Sequence, residues 1–167
     1  VEEQKAKREG RAPNVETPQA VVDLPLDAHL PTDYVPEEAQ KLELYRRLAR
    51  ARTPDDLDAF RKEVTDRFGA MPKPVARLVD VAELRLAAEA EGVSSVSREE
   101  GWLVVRFGAS LTRATAMRLL AGPGLPGTKP SDVTFASNQV RIRLPRDAGK
   151  SWALTQAVVA RLQHDAD

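Results

Sequence analysis

The sequence predicts an α+β fold, with helices packed on an antiparallel-rich mixed sheet. Two observations predict this class. Apolar residues recur at helical spacing in some segments and at every second position in others, and the segments follow the order β, ααα, ββ, α, ββ, α. A parallel α/β fold would alternate strands and helices steadily, and this chain does not.

A flexible, charged linker is predicted for residues 1–18. Acidic and basic side chains alternate there, two prolines interrupt the segment, and almost nothing in it is apolar. Residues 19–167 are expected to form a single α+β domain that folds as a monomer, because their apolar positions suffice for one core. The chain begins with Val1 instead of methionine, so we interpret it as a fragment of a longer protein.

The first predicted element is a strand. Val22, Leu24 and Leu26 occupy alternate positions, and the proline between the last two indicates a sheet edge because proline cannot donate a ladder hydrogen bond. The apolar period then becomes helical. It predicts a first helix from Pro36 to about Arg52.

The second predicted helix begins after Thr53, a capping residue, and ends at Gly69. Its apolar residues lie within one arc and are expected to be buried. They are Leu57, Phe60, Val64 and Phe68. A third helix is predicted from about Pro74 to Gly92, where glycine can adopt the left-handed conformation that ends helices.

Two hairpins and two helices are predicted for the rest of the chain. The stretches VSSVS and WLVVRF form the first hairpin, and DVTF and QVRIRL form the second. We expect Ser110 to cap the fourth helix and Ser151 to cap the last one. Between them, GPGLPGTKPS is too rich in glycine and proline to be anything but a loop.

The composition limits the classes of partner. Lysine plus arginine and aspartate plus glutamate each number 25 among 167 residues, so no global field attracts phosphate backbones or anionic membranes. No run approaches the roughly 18 apolar residues of a membrane span, and no secretion leader opens the sequence. We therefore expect a cytoplasmic protein. The lack of cysteine excludes disulfides, thiol catalysis and thiolate metal sites.

The motifs of catalysis are missing from the sequence. Gly122 and Gly127 have the glycine spacing of a P-loop, but Thr128 then precedes Lys129, whereas the P-loop places lysine directly after the second glycine. The two histidines, at positions 29 and 164, have no partner carboxylate at metal-site spacing. We predict no enzymatic activity, no cofactor and no metal site.

An acidic ridge on the second helix is the candidate interaction site. At about 100° per residue, Asp66 lies nearly opposite the centre of the apolar arc and Glu63 lies on its flank. With Asp56 they form one exposed ridge. Acids near a helix C-terminus oppose the helix dipole, which suggests that a partner needs them. The alternative is local pairing with Lys62 or Arg67, at small energetic gain.

A second possible function rests on the basic end of the first helix. Arg46, Arg47 and Arg50 form a patch that could hold nucleic acid. The patch lacks interleaved aromatic residues, so a solvated helix end is the simpler interpretation. Both alternatives stay open at this point.

Two long stretches resemble a known family. They read HLPTDYVPEEAQKLELYRRLARARTPDDL and KEVTDRFGAMPKPVARLVDVAELR. They are similar to the C-terminal domain of the bacterial transcription-repair coupling factors, including the motif Glu-x-x-Asp-Arg-Phe-Gly, although Val64 stands where that family has leucine or isoleucine. The resemblance runs from about Val21 to Leu162 and weakens after Gly92.

The resemblance implies an autoinhibitory role. Members of the family are ATP-driven DNA translocases that remove stalled RNA polymerase and recruit the repair protein UvrA. Their C-terminal domain docks on an N-terminal UvrB-like domain of the same polypeptide and masks the UvrA-binding surface. By motif position, Glu63 and Asp66 would face basic residues of that N-terminal domain, and Asp56 would extend the same interdomain interface.

Overall fold

The computed structural model describes residues 19–108, 112–120, 125 and 127–163. Its described residues form five α-helices and a five-stranded sheet in the order predicted from the sequence. A short 3-10 helix, Pro130–Asp132, was not predicted and begins inside the segment expected to be only a loop. The α+β class is therefore confirmed. Residues 1–18 lie outside the described residues, so the linker and the boundary of the domain stay predictions.

The sheet is mixed and mainly antiparallel. Its strands are β1 (Val21–Asp23), β2 (Val93–Glu99), β3 (Trp102–Phe107), β4 (Val133–Phe135) and β5 (Gln139–Arg143). They lie in the order β1-β2-β3-β5-β4, with β1 parallel to β2 and all other neighbours antiparallel. The edge position predicted for the first strand is correct, but the strand ends at Asp23, before the alternating leucines.

Three consecutive helices follow the first strand, and one helix follows each hairpin. They are α1 (Glu38–Arg50), α2 (Pro54–Phe68), α3 (Lys73–Ala90), α4 (Arg113–Leu120) and α5 (Ala148–Gln163). Among the described helices, none has both the length and the apolar composition that crossing a membrane requires.

The start of α5 differs from the prediction. Ser151 is not the cap: it lies inside the first turn, where its hydroxyl donates to the carbonyl of Pro145 at 2.6 Å. Asp147 caps the helix instead, because its Oδ1 accepts from the amide of Lys150 at 2.9 Å. At the start of α4, Thr112 accepts from the amide of Thr115 at 3.1 Å, and Ser110 lies outside the described residues.

Two main cores meet at α3. A helical core joins α1, α2 and the first half of α3, and a sheet core joins the end of α3 to α5 and the inner face of the sheet. Phe60 is buried in the helical core, as predicted, and is 3% exposed. Phe68 is only partly buried, contrary to the prediction, and its ring packs 5.7 Å from that of Tyr34. The core ends before the last turn of α2.

An ion pair with little exposure ties the two cores together. Arg85 Nη1 lies 3.1 Å from Glu89 Oε1, and the two side chains are 12% and 10% exposed. The other terminal nitrogen of Arg85 donates to the carbonyls of Leu48 and Ala51, at the C-terminal end of α1. Glu89 accepts the amide of Ala20, just before β1. Through these two side chains, α3 is hydrogen-bonded both to the C-terminal end of α1 and to the residue that precedes β1.

Candidate interdomain interface

The N-terminal end of α2 is closed by a reciprocal cap. Thr53 Oγ1 accepts from the amide of Asp56 at 3.2 Å, while Asp56 Oδ2 accepts from the amides of Arg52 and Thr53 at 2.9 and 3.1 Å. Asp56 is therefore already engaged inside the domain. The amide of Arg52, and then that of Thr53, hold the pKa of Asp56 below its ordinary value, because both donate to the charged form.

Replacing Asp56 by asparagine is expected to remove part of the acid sensitivity of folding. A carboxyl whose pKa is lower in the folded chain stabilises the fold at pH values above its unfolded pKa and stops doing so as pH falls through the folded pKa. The stability difference between wild type and Asp56→Asn should thus shrink as pH falls. Urea unfolding between about pH 6 and about pH 2.5 measures it, across the ordinary aspartate range.

Asp55→Asn is the matched control for this cap. Asp55 is exposed in the same turn and makes no hydrogen bond within the described part of the chain. Its substitution should leave the pH dependence close to that of wild type. Identical pH profiles for wild type and Asp56→Asn would contradict the capping role.

Glu63 is not a free acid on the ridge. Its carboxylate pairs with Arg47 of α1 and with Arg67 one turn later on α2, where Arg67 Nη1 lies 3.3 Å from Oε1. The side chain is 33% exposed, so it lies half-buried between the two helices. Pairing with Arg67 was one of the alternatives left open by the sequence. The contact with Arg47 was not foreseen, because it joins two different helices.

Asp66 differs from its two predicted companions. It is exposed in the last turn of α2 and has no hydrogen bond or ion pair with any residue of the described ranges. The end of the helix is otherwise well satisfied. The amide of Gly69 donates to the carbonyl of Thr65, and the hydroxyl of Tyr34 donates to the carbonyls of Val64 and Gly69 at 3.2 and 2.7 Å.

Tyr34 supports this surface and was not singled out from the sequence. Burial raises the pKa of its hydroxyl, in keeping with a phenol that donates to carbonyls at the helix end. Its packing against Phe68 fixes the turn that presents Asp66. The signal in the sequence was the Tyr-Val-Pro segment, but no local pattern shows which helix that tyrosine reaches.

The structure places the acidic and basic candidates side by side. Arg47 pairs with Glu63, and Arg47, Arg50 and Asp56 line one groove of about 270 Å³ between α1 and α2. Arg46 and Arg50 are exposed. Glu63 therefore neutralises Arg47, so only Arg46 and Arg50 of the predicted basic patch keep their charge exposed. The nucleic-acid role of the patch stays a prediction.

The described residues contain no group of three or more side chains suited to hold a metal ion. His29 is exposed, with Nδ1 2.9 Å from Asp27 Oδ1. His164 and four residues of the glycine-rich loop, at positions 122–124 and 126, lie outside the described residues. The expected lack of enzymatic activity stays a prediction.

Comparison with known proteins identifies the family. Residues 24–117 match the TRCF domain family. The transcription-repair-coupling factors of Mycobacterium tuberculosis and Mycobacterium bovis are each 47% identical over 76 residues, covering 46% of this chain and 6% of those proteins. The Staphylococcus aureus factor is 37% identical over 98 residues, covering 59% of this chain and 8% of that protein.

A solved structure shares the fold. The crystal structure of the C-terminal domain of transcription-repair coupling factor superposes with a TM-score of 0.66 and 16% identity, covering 90% of this chain and 98% of that one. Both the sequence match and the element order support one assignment. The chain belongs to the TRCF domain family of the transcription-repair coupling factors.

Proposed function

We propose that this domain is an autoinhibitory interaction module, which docks on a UvrB-like N-terminal domain of the same polypeptide and masks the surface that binds UvrA. The observation that carries this proposal is the position of Asp66. Its carboxylate is exposed at the C-terminal end of α2, where the helix dipole disfavours negative charge, and it is unpaired within the described residues. An acid there costs a few tenths of a kcal/mol to about one. A basic partner outside the domain would offset that cost.

Glu63 has a different part in this proposal. Arg47 and Arg67 fix its carboxylate and neutralise much of its charge, so an incoming cation must compete with them. Asp66 has no such competitor within the described part of α2. We therefore assign most of the electrostatic attraction to Asp66 and a positioning role to Glu63. Asp56 caps the N-terminus of α2, so we assign it a smaller part in binding the partner.

The parent protein is proposed to be an ATP-driven DNA translocase that removes stalled RNA polymerase. The alignments with full-length coupling factors cover only 6 to 8% of those proteins, so this chain corresponds to a small part of such a factor. DNA, RNA polymerase and UvrA would then be partners of the parent protein. The domain described here would restrain it without catalysing any step.

UvrA titration of the full-length factor tests the proposal. Glu63→Ala combined with Asp66→Ala should weaken docking by about 2 kcal/mol, which is roughly 30-fold in the docking equilibrium, and UvrA affinity should rise. Asp66→Asn alone should produce most of this rise. Asp55→Asn, an exposed acid at the other end of the same helix, should leave UvrA affinity unchanged.

Unfolding of the isolated variants separates docking from folding. Asp66→Asn should unfold like wild type or slightly later, because a charge that opposes the helix dipole is removed. Glu63→Ala should lose up to about 1 kcal/mol through its two ion pairs. If all variants are folded and UvrA affinity does not change, the masking surface is not this ridge.

A further inference from the structure

The sheet has a second face that the acidic ridge does not use. The inner face carries Leu103, Val105, Val140 and Ile142, which share a core with α3 and α5. Side chains alternate along a strand, so the residues between them point to the opposite, outer face. The outer-face residues of the three central strands are Ser95, Ser97, Glu99, Trp102, Val104, Arg106, Gln139, Arg141 and Arg143.

An aromatic ring and two arginines meet at one end of this outer face, where β3 begins and β5 ends. Trp102 and Arg143 are direct cross-strand partners, and the guanidinium carbon of Arg143 lies 4.4 Å from the centroid of the indole ring. That of Arg141 lies 5.0 Å from the same centroid. Val104, next on the face, is only 1% exposed. Trp102, Arg141 and Arg143 are called the platform below.

The three outer-face arginines differ in their acidic neighbours. Arg106 is paired with Glu99 through two contacts, at 3.1 and 2.9 Å. Arg143 Nε lies 3.8 Å from Asp132, beyond hydrogen-bond distance. Arg141 has no carboxylate partner within the described residues. Asp23 lies at the far edge, opposite Ser97 in the register of β1 and β2.

We infer that this outer face binds single-stranded nucleic acid across β3 and β5. Stacking on the indole holds a guanidinium flat while its N–H groups remain free to donate, and the guanidinium fork matches phosphate oxygens. Flat indole and guanidinium surfaces also offer bases a stacking partner. Gln139 on β5 and Thr134 on β4, beside Arg141, add polar groups that can bond to any base.

An acidic peptide is the competing ligand for the same charges. Carboxylates would use the guanidinium groups equally well, but acidic side chains have no aromatic ring to stack on the platform. The coincidence of Trp102 with Arg141 and Arg143 therefore favours nucleic acid. This site lies on the sheet, whereas the proposed docking ridge lies on α2, so each can fail independently of the other.

Fluorescence anisotropy with a labelled oligothymidylate tests the inference. An oligonucleotide of about 12 nucleotides falls within the usual site sizes of single-strand binders. The full 167-residue chain is compared with two variants of equal net charge. Arg141→Gln with Arg143→Gln removes the platform, and Arg46→Gln with Arg50→Gln removes the exposed arginines of α1. We expect about a tenfold loss of affinity for the first variant and less than about a twofold loss for the second.

Salt dependence and tryptophan fluorescence complete the test. The logarithmic salt slope should fall by about 1 to 2 in the sheet variant, since single strands release about 0.7 counterion per phosphate contact. In Trp152→Phe the remaining indole is Trp102, and the oligonucleotide should quench it. Equal losses in both double variants, no saturable binding at low salt, or equal competition by polyglutamate of matched charge would each overturn the assignment.

Discussion

Phe60→Ala is expected to lower the free energy of unfolding by about 3–5 kcal/mol, because it removes a buried ring and leaves a cavity. Phe60 is 3% exposed and belongs to the core formed by α1, α2 and α3. Denaturant unfolding of the chain, followed by circular dichroism, measures the loss. On the side of α1, Phe60 also borders the groove between α1 and α2.

Phe68→Ala is the matched control on the same helix. The same ring is removed, but Phe68 is half-buried and contacts Tyr34 and the guanidinium of Arg67 at the end of the core. We expect a smaller loss, about 1–2 kcal/mol, in proportion to the apolar area withdrawn from water. Equal losses for the two rings would show that the core extends through the last turn of α2.

Arg85→Met is the second change with a large expected effect. Glu89 then keeps the amide of Ala20 as a hydrogen-bond donor but has no cationic partner. The carbonyls of Leu48 and Ala51 also lose the guanidinium group that donates to them. Removing one member of a buried ion pair typically costs about 3–5 kcal/mol. We expect a loss in that range by equilibrium unfolding. Arg85→Lys should recover only part of it, because one ammonium cannot reproduce the guanidinium fork.

A double-mutant cycle distinguishes charge burial from packing. Arg85→Met combined with Glu89→Met should be less destabilised than the sum of the single variants, since no uncompensated charge is then buried. Arg61→Met is the control, because the partners of Arg61 are Asp58 and Glu83, which are 72% and 52% exposed. It should cost about 1 kcal/mol or less. Additive losses at Arg85 and Glu89 would contradict the coupled network.

The acidic ridge shows how far helical periodicity can predict a site. The rotation of about 100° per residue in a helix correctly predicted that Asp66 is exposed and that Glu63 lies at the flank of the buried face of α2. It could not show that Arg47 reaches Glu63, because that contact depends on how α1 packs beside α2. It also could not show that Phe68 lies at the edge of the core, packed against it but only partly buried. A helical wheel gives the direction of a side chain but not the extent of what covers it.

The sheet platform shows a similar limit. The strands containing Trp102 and Arg143 were both predicted, but these residues are far apart in the chain and meet only through the register of β3 and β5. A shift of one residue would have turned the arginines towards the core. No local signal in either strand specifies that register by itself.

The sequence by itself determined the α+β class, the order of the elements and the family, because periodicity, caps and motifs act over a few neighbouring residues. Thr53 and Gly69 delimited α2 for that reason. Only the tertiary structure decided which charges are neutralised: Glu63 by Arg47, Glu89 by Arg85, and Asp66 by nothing in the described chain. The physical reason is that Coulomb interaction and desolvation depend on distance and burial, which packing sets.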